Sequence, residues 1–253
     1  MLVAGIIVVM IIATVAVAAF VLAPQIGEGR IVFSQEPDLP KPFGYGMAWL
    51  AVRTRDSHLV VEALHLDEPE TANWDTGLGT VYSPEIGAGH VFVSPPVNGW
   101  TLVAGPGLPQ PLGKNFADKA TPFLLDLGTK FIEVQYFASC PQVDYFGWAR
   151  IIDGKLVRAY AIGDEGTLWN KGKPTKEERA LGLKQFDVRG IKAKRGDVGG
   201  ELLMYPLEEH VMQIAQKWSL DPTRVNEAGA GPALGVIGHA PQHWRPERLR
   251  QTG

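Results

Sequence analysis

The sequence has one cysteine, Cys140, so no disulfide can form within the chain. No signature of a cysteine hydrolase surrounds it, and it reads as a buried or inert thiol. The chain has no P-loop, nucleophile elbow or dinucleotide fingerprint. Gly105-Pro-Gly107 is not a phosphate cradle, because the proline removes an amide that a phosphate would need. His210 follows Glu208-Glu209 without the His-Glu-x-x-His spacing of zinc hydrolases, and His58 and His65 lie seven positions apart. The acids Asp153, Asp164 and Glu165 fall beside glycines in turns, where acids collect for local reasons. These absences exclude the enzymes that announce themselves by a short motif, and no cofactor or metal is expected.

A second absence is local. Leu2–Ala23 holds no charged residue and is mostly Val, Ile, Ala and Leu. As a helix it would reach about 33 Å, enough to cross a bilayer. No Lys or Arg precedes it, which argues against a secretory leader, and Pro24 ends it. Residues 1–23 are therefore read as a single-pass transmembrane anchor, in a bacterial cell the inner membrane. Residues 24–44, with Pro24, Pro37, Pro40 and Pro42, read as a Pro/Gly linker. Arg30 and Lys41 behind the apolar run, with no basic residue before it, favour a cytoplasmic domain; the periplasmic orientation stays open. Charge is split along the rest: residues 31–170 hold nine Lys/Arg and sixteen Asp/Glu (−7), residues 171–253 fourteen and ten (+4). The second half is basic but diluted with acids, and no nucleic-acid partner is expected.

What is present organises around His90–Gly105. Val91-Phe92-Val93 and Leu102-Val103-Ala104 are apolar at consecutive positions, as strands covered on both faces would be. Between them Asn98-Gly99 suits a hairpin turn, and Pro95-Pro96 stops the first strand. Tyr45–Arg53 predicts a strand and Asp56 caps a helix with an apolar face from Leu59 to Leu66. Asp118–Lys130 predicts a helix, Phe131–Phe137 and Val143–Ile152 strands, and Asp153-Gly154 a turn into Lys155–Ile162 and then Thr167–Trp169. Thr175 with Glu178 three later marks a capped helix. Lys184–Gly200 reads as a surface loop and Tyr205–Leu220 as a helix. The order strand, helix, strand, strand, helix, strand fits an α+β fold: a ferredoxin-like antiparallel sheet with helices on one face, plus an added β-meander. The globular domain is expected at 45–225, and 226–253, rich in Gly, Ala and Pro and then basic, as a disordered tail.

Asp67–Gly89 reads as a long irregular loop, with Asp67, Glu68, Glu70 and Asp75 near Trp74. An acidic loop bearing an aromatic suits a binding surface, and so does the hairpin tip with Pro95, Pro96, Asn98 and Trp100. Trp74 tucked into the core is the plainer alternative. The stretch Tyr45–Val225 is similar to bacterial proteins of uncharacterised families, through Ala48-Trp49-Leu-Ala-Val-Arg53, Val91-Phe-Val-Ser-Pro-Pro-Val-Asn-Gly-Trp100, Glu133-Val-Gln-Tyr-Phe137 and Trp218-Ser-Leu-Asp-Pro222. Such proteins look like immunity partners of secreted bacterial toxins. The resemblance implies a non-catalytic protein that neutralises a cognate toxin by direct binding, and its acidic surface would steer a basic toxin towards it. Two other readings stay open. One is an envelope assembly or scaffold subunit. The other is an enzyme with a dispersed site, for which His90, Glu133, Cys140 and Asp144 are the first candidates.

Overall fold

The computed structural model describes residues 32–164, 166–183 and 206–249. The segments expected to be an anchor (residues 1–23) and a surface loop (Lys184–Gly200) lie outside them. Among the described residues no helix is long and apolar enough to cross a membrane.

The described chain is α+β, built on one antiparallel sheet. Its strands are β1 (Ala48–Val52), β2 (Asp67–Ala72), β3 (His90–Val93), β4 (Thr101–Ala104), β5 (Glu133–Cys140), β6 (Tyr145–Ile152), β7 (Lys155–Gly163), β8 (Gly166–Lys171) and β9 (Gly235–His239). They lie in the order β2-β9-β3-β4-β1-β5-β6-β7-β8. The helices are α1 (Ser57–Leu64), α2 (Trp74–Tyr82), α3 (Ala120–Lys130), α4 (Lys176–Ala180) and α5 (Glu208–Trp218). The strands β5, β1, β4 and β3 are neighbours in that order, and β6 to β8 continue the sheet as a meander.

Pairing sorts the side chains into two faces. Leu50 lies across from Val103 and Tyr136, and this row packs with Val60 and Leu64 of α1 and Leu124 and Leu127 of α3. The alternate row runs Phe92, Ala104, Trp49, Phe137, Trp148. Trp74 of α2 meets Phe92 edge-on at 5.6 Å, and Trp218 of α5 meets Phe137 at 5.8 Å. Glu178 of α4 accepts the Trp148 indole N–H at 3.0 Å. Helices therefore cover both faces, which corrects the expectation of one. The cause is in the strands: all five residues of β1 are buried, and a strand apolar on both sides needs cover on both sides.

Local signals account for much of the frame. Asp56 caps α1, accepting from the His58 N–H at 3.0 Å. Thr175 and Glu178 form the expected capping box on α4. Asn98 and Gly99 take φ of 50° and 83°, and Asp153 and Gly154 take 49° and 73°. These are left-handed pairs, and Val97 and Trp100 close the first with reciprocal backbone hydrogen bonds. A β-branched residue is costly in that conformation, and a Cβ on Gly99 has no contact nearer than 3.9 Å to offset it. Gly99→Val is expected to lower stability by about 1–3 kcal/mol through backbone strain. An unchanged denaturation midpoint would show that the turn does not hold the hairpin.

Three further expectations are corrected. Residues 67–89 are not an irregular loop, since they form β2, α2 and a short 3-10 turn at Gly87–Gly89. The linker does not extend to 44. Phe33 and Phe43 are buried, and the Asp38 carboxylate accepts from the Trp74 and Asp75 N–H groups at 2.7 and 2.9 Å, tying this segment to the start of α2. Finally, 226–253 is not a disordered tail. Gly235–His239 is β9, paired on one side with β2 and on the other with β3, and Trp244 is buried against Phe123 at 4.7 Å.

Candidate protein-binding site

β2, Asp67-Glu-Pro-Glu-Thr-Ala72, is an end strand of the sheet, and among the described residues it pairs with β9 alone. Its first five residues are exposed. Two things make it a poor template for another strand: Pro69 cannot donate a hydrogen bond, and the carboxylates repel a flat approach. What it offers solvent is charge. Asp67, Glu68 and Glu70 have no ion pair among the described residues. The pairing with β9 slips between Asp67 and Glu70, and Glu68 sits in the slip with φ 49°, in the left-handed region.

Behind this end of β2 lies a cavity of about 740 Å³. Its lining includes the acidic Asp67 and Glu68, the basic Lys119 and Arg245, His239, and the buried apolar Leu108 and Trp244. β9 carries His239 next to both Asp67 and His90. The His90 and His239 rings lie 4.1 Å apart between centroids. His90 is buried, and its Nδ1 donates to the Ile86 carbonyl at 2.6 Å. Burial pulls the His90 imidazole below the ordinary histidine range; the Ile86 bond opposes this, and the neighbouring His239 adds to it. A pKa lowered by folding means that the folded state resists protonation. His90 therefore contributes stability above about pH 6.5 that is lost as the pH falls through its folded value. His210, also lowered chiefly by burial, acts with the same sign. His90→Gln is expected to flatten, without abolishing, the loss of urea stability between about pH 7 and pH 5. An acid limb of unchanged slope would remove His90 from it.

The residues expected to bind fall into two separate groups. Asp67, Glu68 and Glu70 share the exposed edge. Asp75, in the first turn of α2, is exposed but engaged by the Lys41 ammonium. Trp74 is 1% exposed and packs on Phe92, so it is a core residue and not an interface anchor. Pro95–Trp100 lies at the opposite end of β3 from His90 and hence from the cavity. There Pro95 is buried, Pro96 and Asn98 are exposed, and Trp100 is half-buried under the Arg53 guanidinium at 5.9 Å. Asn98 borders a shallow depression with Gln216 and Arg224. Trp100 thus stays available at a rim, apart from the acidic edge.

The residues suspected of catalysis do not converge. His90 opens β3, three strands from β5. Glu133 opens β5 with its carboxylate held by Arg150 Nε at 2.7 Å, Arg53 at 3.4 Å and the Gln135 amide at 2.7 Å. Cys140 closes that strand at its other end, and Asp144 lies in the connection to β6. Among the described residues no three His, Cys, Asp or Glu side chains are grouped to hold a metal.

Sequence reasoning missed His239, Trp244 and Arg245, because they lie in the segment read as a tail. The available signal was Gly235-Val-Ile-Gly-His239, a short apolar run between glycines followed by a tryptophan. Comparison with protein families, with characterised protein sequences and with solved structures found no match.

Proposed function

We propose that this chain is a membrane-anchored, non-catalytic binding protein, most concretely an immunity protein that neutralises a secreted bacterial toxin by direct contact. The observation that carries the reading is the edge strand β2, whose exposed carboxylates Asp67, Glu68 and Glu70 have no ion pair among the described residues. An unneutralised acidic edge raises the encounter rate with a basic partner, such as a nuclease, and disfavours nucleic acid. The half-buried Trp100 beside exposed Pro96 and Asn98 offers a second contact. Residues 2–23 are the anchor, with the domain on the cytoplasmic face of the inner membrane in the favoured orientation. The ferredoxin-like reading of the core is supported by the order β5-β1-β4-β3 and by α1 and α3 packing into one apolar cluster.

The test is co-expression with toxins encoded beside the gene, followed by pull-down, a survival assay and association kinetics. Charge reversal of Asp67, Glu68, Glu70 and Asp75 is expected to slow association about tenfold or more at low salt and to weaken its salt dependence. Fold stability should change little, since the Lys41–Asp75 pair is exposed and screened by solvent. A chain that binds no such toxin and protects against none is not an immunity protein.

A further inference from the structure

We infer that an ordered water molecule is bound inside the meander, on the face that α1 and α3 cover, bridging the Tyr136 and Tyr145 hydroxyls. The inference is independent of the binding role proposed above.

The first argument is where the hydroxyls meet. Tyr136 of β5, Tyr145 of β6 and Trp169 of β8 belong to one buried cluster with Ala138, Ala149, Ala159 and Ala161. The register sets Ala138, Gly147 and Ala161 side by side across β5, β6 and β7, with Trp169 next in that row on β8. Tyr136 stands two residues to one side of the row and Tyr145 two residues to the other. At about 3.4 Å per residue their backbones are about 14 Å apart along the strands. Yet the two hydroxyls are near enough for each to act on the other's titration. Tips that approach from rows on either side must lie above the row between them. Until Trp169 that row carries nothing larger than a methyl group, which leaves space over it. The Trp169 ring meets the Tyr136 ring edge-on at 6.2 Å.

The second argument is hydrogen-bond valence. Tyr136 Oη, Tyr145 Oη and Trp169 Nε1 are buried polar atoms, and no hydrogen bond of normal geometry reaches any of them among the described residues. Burial holds both phenols above the ordinary tyrosine range, so each keeps its hydrogen. If one hydroxyl rotates to donate to the other, the second O–H still has no acceptor. The Trp169 N–H adds a donor and supplies no acceptor. Rotation within the cluster therefore cannot satisfy every hydrogen, and a buried donor without an acceptor forfeits its hydration for nothing. A water accepts from the second hydroxyl and donates back to a phenol oxygen, which closes the set. Buried waters typically make about three such bonds to groups left otherwise unpaired. An anion would accept equally well, but a charge among these apolar side chains is costly to bury.

The test is a crystal structure of the full chain at a resolution that shows ordered water, with water-selected NMR on the same protein. A water peak is expected within about 3.2 Å of both Tyr136 Oη and Tyr145 Oη. The ring protons of both tyrosines should show a cross-peak to water with the sign of a long-lived bound molecule. Tyr136→Phe with Tyr145→Phe keeps the ring volumes and should lose both the peak and the cross-peak. The wild-type peak and cross-peak decide the matter alone if that variant does not fold. Wild-type protein with neither signal overturns the assignment. So does density for a larger solute at this position, or a bound water that persists unchanged in the double variant.

Discussion

Ending the chain after Gly231 is expected to abolish cooperative folding. The deletion removes β9, an internal strand paired with both β2 and β3. Ile237, 1% exposed, leaves its place beside Phe92, and Trp244 leaves Phe123. β2 loses its one strand neighbour among the described residues, and β3 is left with an unpaired edge of amides and carbonyls. A domain of this size is stable by about 5–15 kcal/mol, and losing a buried strand with two large apolar side chains consumes most of that. The measurement is soluble yield together with the sharpness of the thermal transition in near-UV dichroism. A truncated chain that melts as sharply as the full chain would return 226–253 to the status of an appendage.

The second large effect concerns Arg158 and Glu178, both fully buried, which join β7 to α4. Arg158 Nε lies 2.9 Å from both Glu178 oxygens, and its Nη1 donates to Asn170 Oδ1 at 2.8 Å and to the Lys171 carbonyl at 3.0 Å. Glu178 also accepts from the Trp148 indole and, at 2.7 Å, from the Thr175 N–H. Glu178→Ala leaves a fully buried guanidinium without the carboxylate that pairs with it. The expected loss is about 3–5 kcal/mol, read as a lower denaturant midpoint. Arg158→Met with Glu178→Leu is expected to recover most of it, because neither charge then needs desolvation. A loss below about 1 kcal/mol for Glu178→Ala would mean that water reaches the pair.

These two cases also mark how far the sequence could be read. The Thr175–Glu178 cap was legible because a capping box is complete within four residues. The turns at Asn98-Gly99 and Asp153-Gly154 were legible for the same reason: left-handed backbone is chosen by the residues that adopt it. That Glu178 would also meet Arg158 and Trp148 was not, since nothing local ties a helix cap to two strands. β2 escaped because Asp-Glu-Pro-Glu has poor strand propensity and is held in the sheet by pairing with β9. β9 escaped in turn because its partners lie far back in the chain. Of the candidate site, the carboxylates at 67, 68 and 70 were readable as exposed charge. The cavity behind them was not, as most of its lining comes from the distant segments 106–119 and 239–246. Trp74 shows the limit of composition: a tryptophan among acids looks like a contact, and burial against Phe92 decides otherwise.

The position of β9 has a consequence for biosynthesis. β2 leaves the ribosome well before its strand partner β9, with β3 to β8 made between them. The β1-β4-β5 centre and the meander can pair while translation continues, whereas β2 and the outer side of β3 must wait. Contacts separated this far in sequence form late, and an unpaired strand is a hazard in the interval. The residues that wait, Asp67-Glu-Pro-Glu70, are ones a stray strand cannot easily join. The same carboxylates that would greet a basic partner in the finished protein thus guard the nascent chain until β9 arrives.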